Sequence, residues 1–409
     1  MYDVLIVGAG PAGSTCARLC ALAGLKTAII DKSRFPRRKT CGGAVSGRAL
    51  SYLDFPLPAS FAEDECFGAR IVHGHHAVSI RKEQRLAVLV DREQFDELLL
   101  KKAIEAGACF LPAEEAVSVR VEKGSIVLHT NAGGHEALFL VGADGVQSVI
   151  ANSVRPRFSA KETAIALVSH VPANECPINS RHPGSVEMHF GVAPQGYGWA
   201  FPRRAYTSVG IMGIASRFSH AHAALTEFSR SIGMPAASVR GHLIPLGGIK
   251  RTIRSHRVLL VGDAAGFVDP FHGEGIAYAI LSGRLAAGSL CRVLVHGWEQ
   301  ERAFKWYERQ CEQLIRKELR VALWMARLLD RYPKIFVRIF FDNPPALARY
   351  MDISTGRLVY RRFWKWIALR TPWYLLASFL NNIRSATAEI QKNKSEKSIW
   401  TRIRSDKRG

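Results

Sequence analysis

Six residues near the start, Gly8-Ala9-Gly10-Pro11-Ala12-Gly13, constrain this chain more than any other stretch. They follow a short apolar run, Val4 to Val7, and precede a helical pattern through Cys16, Leu19, Cys20 and Ala23 to Gly24. A second apolar run, Ala28-Ile29-Ile30, ends on Asp31. Glycines at these spacings permit a tight turn and let a pyrophosphate approach a helix N-terminus, where free N–H groups point outward. An acid at the end of the second strand suits ribose hydroxyls. The strand-turn-helix-strand context predicts a dinucleotide site on Gly8, Gly10, Gly13 and Asp31. A glycine-rich turn without a ligand is the competing reading.

A second ligand-facing stretch lies far along the chain. Val258 to Val261 reads as a buried strand, followed by Gly262-Asp263 and small residues. Asp269-Pro270-Phe271-His272-Gly273-Glu274-Gly275-Ile276 then reads as an acidic turn and a helix start aimed at a ligand. Between the two stretches, Arg34 to Ser46 is basic and ends in a small-residue turn at Cys41-Gly42-Gly43. Backbone can approach a flat ligand over that turn, and the basic residues can meet phosphate; a solvated basic loop is the plain alternative. Cys41 alone is more often a small buried hydrophobe than a reactive group. Arg92, at the start of a helix predicted over 95–106, can reach a phosphate or sit at the surface. Asp144-Gly145 by itself is commonly a plain turn.

Residues 158–246 read as strands of a second sheet, at 163–171, 185–190, 198–201 and 208–212. Tyr197, Trp199 and Phe201 share one face at period two, as core or as the wall of an apolar pocket. Beyond residue 299 the pattern is mainly helical. The Trp- and Leu-rich stretch from Phe363 to Leu380 contains Lys365, Arg370 and Pro372, which argues against spanning a bilayer and leaves an interfacial helix or a helix packed on the core. The basic residues after Arg384 are expected to form a mobile tail. With 56 Lys+Arg against 35 Asp+Glu the net charge is +21, which favours anionic partners: a membrane surface, a phosphorylated substrate or nucleic acid. The eight cysteines lack metal-ligand spacing, and no metal site is expected. No secretory signal is expected at the N-terminus, which runs directly into the glycine motif.

In order and spacing these segments resemble the p-hydroxybenzoate hydroxylase-like flavoprotein superfamily and, within it, the geranylgeranyl reductase family of FAD-dependent oxidoreductases. The resemblance runs through Gly8 to Gly13 with Asp31, Pro36 to Ser46, Asp91-Arg92 with Phe95-Asp96, Gly142 to Gly145, Tyr197 to Pro202, and Gly262-Asp263 through Gly275-Ile276. It implies an α/β fold: a Rossmann-type FAD-binding domain with an inserted antiparallel-sheet substrate domain and a C-terminal helical region. The expected boundaries are 1–60, 86–157 and 247–298 for the FAD domain, 61–85 and 158–246 for the substrate domain, 299–383 for the helical region and 384–409 for the tail. The resemblance also implies FAD held by Gly8, Gly10, Gly13, Asp31, Cys41, Gly42, Gly43, Arg92, Asp144, Gly145, Gly262, Asp263, Gly273, Gly275 and Ile276. NAD(P)H or another reductant would be the electron donor. At Met212 the chain departs from the family pattern, which usually carries a second glycine there.

The expected activity is reduction of carbon-carbon double bonds in a polyprenyl (geranylgeranyl-type) lipid, diphosphate or quinone side chain. Cys41 and His272 are the catalytic candidates, and Tyr197, Trp199 and Phe201 the substrate-pocket candidates. A flavin monooxygenase or halogenase, or a quinone-linked flavoprotein, is the alternative. The expected setting is cytoplasmic with peripheral membrane association, and no nucleic-acid module is recognisable.

Overall fold

The computed structural model describes residues 1–175, 183–234 and 238–374. Strand Tyr2–Val7 pairs in parallel with Thr27–Asp31 on one side and Gly133–Gly142 on the other. Its last four residues and all of Thr27–Asp31 are buried, as expected of central strands covered on both faces. Cys109–Pro112 and Val258–Leu260 extend the parallel set, and antiparallel strands complete an eight-stranded sheet. The Gly-Asp turn after Val258–Leu260 and the glycine turn after Tyr2–Val7 therefore leave the same sheet at the ends of parallel strands. This is where open α/β sheets place their ligands. Helices Pro11–Leu22 and Ile276–Leu294 pack together on that sheet. The second helix is long and apolar enough to span a membrane, but most of it is buried inside the protein.

A seven-stranded sheet forms the second layer, in the order Val239–Pro245, Thr163–Pro172, Tyr206–Ile214, Tyr197–Pro202, Ser185–Phe190, Gly68–His73, His76–Arg81. All neighbours are antiparallel except Ser185–Phe190 with Gly68–His73. Period two separates its faces. Leu167, Val209 and Ile211 meet helix Ala221–Ser231, whereas Tyr197, Trp199 and Met212 face the other way.

That other face lies beneath the C-terminal helices. The long amphipathic run beginning at Glu299 forms helices Gln300–Cys311 and Lys317–Arg331, joined by a π turn. Pro333 and Pro344 each open a short helix, where a missing N–H leaves no bond unmade. Phe336, Phe340, Tyr350 and Phe363 join the core cluster that contains Tyr197, Trp199 and Phe201. In the helix at 360–374, Phe363 and Ile367 are buried while Leu369 and Trp373 are 76% and 71% exposed. It is thus a core helix on one face and an apolar surface on another. Residues 375–380 of the Trp- and Leu-rich stretch and the basic tail lie outside the described residues.

Candidate functional site

The glycine turn is tight for an internal reason at one position and open at another. A Cβ on Gly13 would lie 1.9 Å from the Gly8 carbonyl oxygen, so helix Pro11–Leu22 can start against the strand end only with glycine there. Gly10 has ordinary extended backbone, and a Cβ there would meet nothing nearer than the Arg37 guanidinium at 3.5 Å. Gly10 is the N-cap, and the first-turn N–H groups behind it have no partner within the helix. Asp31 is fastened to the same turn: Oδ2 accepts from the Ala9 N–H at 2.8 Å and Oδ1 from the Ser33 N–H at 2.8 Å. An open glycine, outward N–H groups and an overhanging guanidinium form a donor set that fits the pyrophosphate of FAD. When bound, FAD supplies two-electron redox chemistry.

The Gly-Asp turn meets this site from the neighbouring strand. Gly262 donates its N–H to Ser282 Oγ at 2.9 Å, which fixes the turn to helix Ile276–Leu294. Burial pushes the Asp263 carboxyl pKa up, opposed by Lys39 and Arg92. Burial lowers the Lys39 pKa, with Asp263 opposing. Lys39 Nζ lies 2.6 Å from Nε2 of His242, a residue of the seven-stranded sheet. Burial first, then Lys39, Arg92 and Arg37, bring His242 down to about 3, so its neutral ring accepts the ammonium proton. This contact joins the loop that carries the basic stretch to the seven-stranded sheet.

Arg92 is buried and bidentate to Asp96, with Nε to Oδ1 at 2.9 Å and Nη2 to Oδ2 at 3.0 Å, and it also interacts with Cys41. Arg37 adds a second contact to Asp96 at 3.3 Å. Asp144 has an internal role. Its carboxylate accepts from Ser148 Oγ at 2.5 Å and from the N–H groups of Val149 at 2.7 Å and Ile150 at 3.2 Å. It therefore caps helix Val149–Asn152, and Gly145 beside it leaves open space.

The turn at Cys41-Gly42-Gly43 lies flat on the aromatic face. A Cβ on Gly42 would sit 3.0 Å from Phe201 Cε2 and 3.3 Å from Trp199 Nε1. Cys41 Sγ accepts from the Gly43 N–H at 3.3 Å. Arg203, buried, clamps the turn by donating to the Gly42 carbonyl at 2.6 Å, to Glu63 at 2.9 Å and to the Val90 carbonyl. Tyr197, Trp199 and Phe201 are 5%, 5% and 9% exposed, so this wall excludes water.

The turn Asp269–Gly275 carries a buried polar cluster next to that wall. Tyr197 donates its hydroxyl to the His272 carbonyl at 2.5 Å. His272 Nδ1 lies 2.7 Å from Tyr360 Oη, 3.3 Å from Tyr350 Oη and 3.3 Å from Asp269 Oδ2. Nε2 lies 3.6 Å from Glu274 Oε2 and makes no hydrogen bond within the described residues. Burial opposes protonation of His272, but Asp269 and Glu274 outweigh it and hold its pKa above the ordinary value. Glu274 accepts from Ser46 and Arg48. Burial alone would raise its pKa, yet Arg48 and His272 bring it down to about 2. Gly273 lies against Tyr197 and the Met212 sulfur, which fills the space a second glycine would leave. Gly275 caps helix Ile276–Leu294, whose first residue Ile276 is buried.

The sequence candidates thus converge from both sheets, with Asp144 in a structural role. Sequence reasoning missed His242, Arg203, Arg48, Ser46, Tyr350 and Tyr360. Arg37 and Lys39 were visible only as members of a basic stretch. No local motif marks the six missed residues, because each reaches its partner from a distant segment.

Residues 1–231 match the family model described as an FAD binding domain. A geranylgeranyl diphosphate reductase of Rhodobacter capsulatus is 31% identical over 310 residues, covering 72% of this chain and 76% of that protein. A digeranylgeranylglycerophospholipid reductase of Thermoplasma acidophilum is 31% identical over 309 residues, covering 70% of this chain and 77% of that protein. Among solved structures, a geranylgeranyl bacteriochlorophyll reductase-like protein from Thermoplasma acidophilum superposes with a TM-score of 0.77 at 24% identity, covering 92% of this chain and 98% of that one.

Proposed function

This chain belongs to the geranylgeranyl reductase family of FAD-dependent oxidoreductases, and from that premise we propose that it saturates carbon-carbon double bonds of a polyprenyl chain carried on a diphosphate, a lipid or a quinone. One observation carries the reading: a dry aromatic wall and a buried, proton-holding cluster meet at the Tyr197–His272 hydrogen bond of 2.5 Å. An isolated alkene is a poor electrophile. Its reduction needs a hydride equivalent on one carbon and a proton on the other, with water excluded. A bound, reduced FAD would supply the hydride equivalent, with NAD(P)H or another reductant as the proposed electron donor.

The protein's share is positioning, water exclusion and the proton. Arg37, the Gly10 turn and Asp31 bind and orient the cofactor, while Tyr197, Trp199 and Phe201 exclude water from the alkene. The proton is held on His272. Its raised pKa favours the charged ring, and Nε2, 3.6 Å from Glu274 Oε2, makes no hydrogen bond within the described residues. Tyr360 is positioned to hydrogen-bond Nδ1 as the charge on the ring changes. Cys41, pressed against the same wall beside Arg92, is a second candidate donor.

The basic surface and the exposed Leu369 and Trp373 support a cytoplasmic protein working at an anionic membrane, where a lipidic substrate resides. The test is anaerobic turnover of the FAD-loaded protein with geranylgeranyl diphosphate, reading products by mass. A gain of two hydrogens per reduced bond supports the proposal, together with slower single turnover in His272→Ala or Cys41→Ala. Turnover that requires oxygen and adds oxygen or halogen to the product would move the protein to the monooxygenase or halogenase reading.

A further inference from the structure

A cavity of about 540 Å³ opens between the turn at 191–196 and helices Lys317–Arg331 and Pro333–Phe340. The turn joins strand Ser185–Phe190 to Tyr197–Pro202. Phe190, Pro270, Phe271, Ala326, Leu329 and Pro333 supply the apolar lining. No lysine or arginine lines it, burial disfavours the charged form of His73 and Asp330 adds a carboxylate, so the lining is poorly suited to a diphosphate or a phospholipid headgroup. The volume falls within the range of small-molecule sites.

One layer of side chains separates the cavity from the polar cluster. Phe271 precedes His272 and lies 5.9 Å from the Phe190 ring and 5.4 Å, edge-on, from Tyr350. Phe190 lies in turn 5.8 Å from Tyr197. The outer wall is fastened by Asp330 and by strand Tyr206–Ile214, whose Ile214 N–H donates to the Pro194 carbonyl at 2.9 Å. Asp330 Oδ1 accepts from the Gln195 N–H at 2.8 Å, and Oδ2 accepts from Arg217 at 2.7 Å. Gln195 is held there at a positive φ of 46°, which a non-glycine residue adopts only when its surroundings impose it. Exposed ion pairs are weak, so the Arg217 contact adds little and the turn is held chiefly by the hydrogen bonds of its own backbone.

We propose that this cavity receives the distal, unreacted part of the prenyl chain, and that the turn at 191–196, latched by Asp330, sets which chain lengths are accepted. The inference rests on the proposed prenyl reduction and assigns the subsite that selects chain length. A hydrocarbon tail gains from burial against six apolar side chains and asks for no charged partner, whereas the anionic end of the substrate must stay elsewhere.

The experiment compares geranyl and geranylgeranyl diphosphate as substrates of the FAD-loaded protein, in the wild type and in Ala326→Trp, which fills the cavity. Leu329→Trp serves as the second variant, and FAD content and thermal melting check that each is folded. The expected result is a fall of about tenfold or more in the ratio of kcat/KM for the longer over the shorter chain, as adding or removing apolar groups in a pocket commonly produces. An unchanged ratio in both folded variants overturns the inference while leaving prenyl reduction standing. Should the wild type reduce a prenyl chain on neither a diphosphate, a lipid nor a quinone, the proposed reaction fails. The cavity is then judged by titration with cis-parinaric acid: binding that both variants lose retains an apolar-chain site, and equal or absent binding ends it.

Discussion

Tyr360 Oη lies 2.7 Å from Nδ1 of His272, joining the C-terminal helical region to the turn that precedes helix Ile276–Leu294. The two residues are 88 positions apart, and the contact ties that region to the buried polar cluster as well as to the core. With Asp269 and Glu274 holding the His272 pKa up, folding stabilises the charged ring. That stability is fully present below the unfolded-state pKa, near 6.5, and is lost as pH rises through the raised folded value. The melting-temperature difference between wild type and His272→Gln should therefore shrink steadily as pH rises past neutrality. A difference independent of pH would remove the charged ring from the account. In anaerobic single turnover His272→Gln should be slower by about 100-fold or more. Tyr360→Phe should shift the pH midpoint and leave the low-pH plateau nearly intact.

Glu274 responds to pH in the opposite sense. Its folded pKa of about 2 lies below the ordinary value of 4.5. Its contribution is present above the unfolded value and is lost as pH falls through the folded one. Glu274→Gln should flatten the acid limb of the stability curve between those two values, measured by urea unfolding across pH. Glu274→Ala leaves Arg48 buried without its carboxylate and should lower stability by about 3–5 kcal/mol at neutral pH. If the acid limb of Glu274→Gln overlays that of the wild type, another carboxylate governs acid unfolding.

Gly10 and Gly13 separate cofactor binding from scaffold. A Cβ on Gly13 meets backbone at 1.9 Å, so Gly13→Ala should destabilise even the FAD-free protein, by about 1–3 kcal/mol or more. A Cβ on Gly10 meets only the end of a flexible arginine at 3.5 Å, so Gly10→Ala should cost at most about 1 kcal/mol, the penalty of alanine at an N-cap. It should nevertheless weaken FAD binding by about tenfold or more, because the methyl occupies the path of the pyrophosphate. Urea unfolding of the apoprotein and flavin fluorescence titration read the two effects separately. Wild-type FAD affinity in Gly10→Ala would mean that the pyrophosphate does not approach there.

What the sequence made legible was local. Gly8 to Gly13, Asp31 and Gly262-Asp263 stood out because a turn, a cap and a strand end are each written in a few consecutive residues. Period two assigned Tyr197, Trp199 and Phe201 to one face, but it could not say what covers that face, since Phe336, Phe340 and Phe363 arrive from far along the chain. The Lys39–His242 contact spans 203 positions and ties a loop to the seven-stranded sheet, so no spacing rule reveals it. Asp144 was assigned to the cofactor with its glycine neighbour, yet Ser148 and two N–H groups of the following helix take up its oxygens.

The last prediction concerns the exposed face of the helix at 360–374. Arg362, Lys365, Leu369 and Trp373 recur at helical spacing, and all four are exposed. Nearby, Trp324 packs edge-on against Trp364 at 4.2 Å in a groove also lined by Lys317, Arg320 and Arg361. Apolar and aromatic tips flanked by cations match the water–lipid boundary, where the rings enter the headgroup layer and the charges meet anionic phosphates. Burying a leucine or tryptophan side chain contributes about 1.5–3 kcal/mol when complete. Leu369→Ala with Trp373→Ala should therefore lower partitioning onto phosphatidylglycerol vesicles by about tenfold or more. Arg362→Gln with Lys365→Gln should weaken binding chiefly at low salt, because the charged component is screened within about 8 Å at physiological ionic strength. Sedimentation with vesicles of varied phosphatidylglycerol content measures both effects. Equal binding of wild type and the Leu369/Trp373 double variant would show that this helix face does not meet the bilayer.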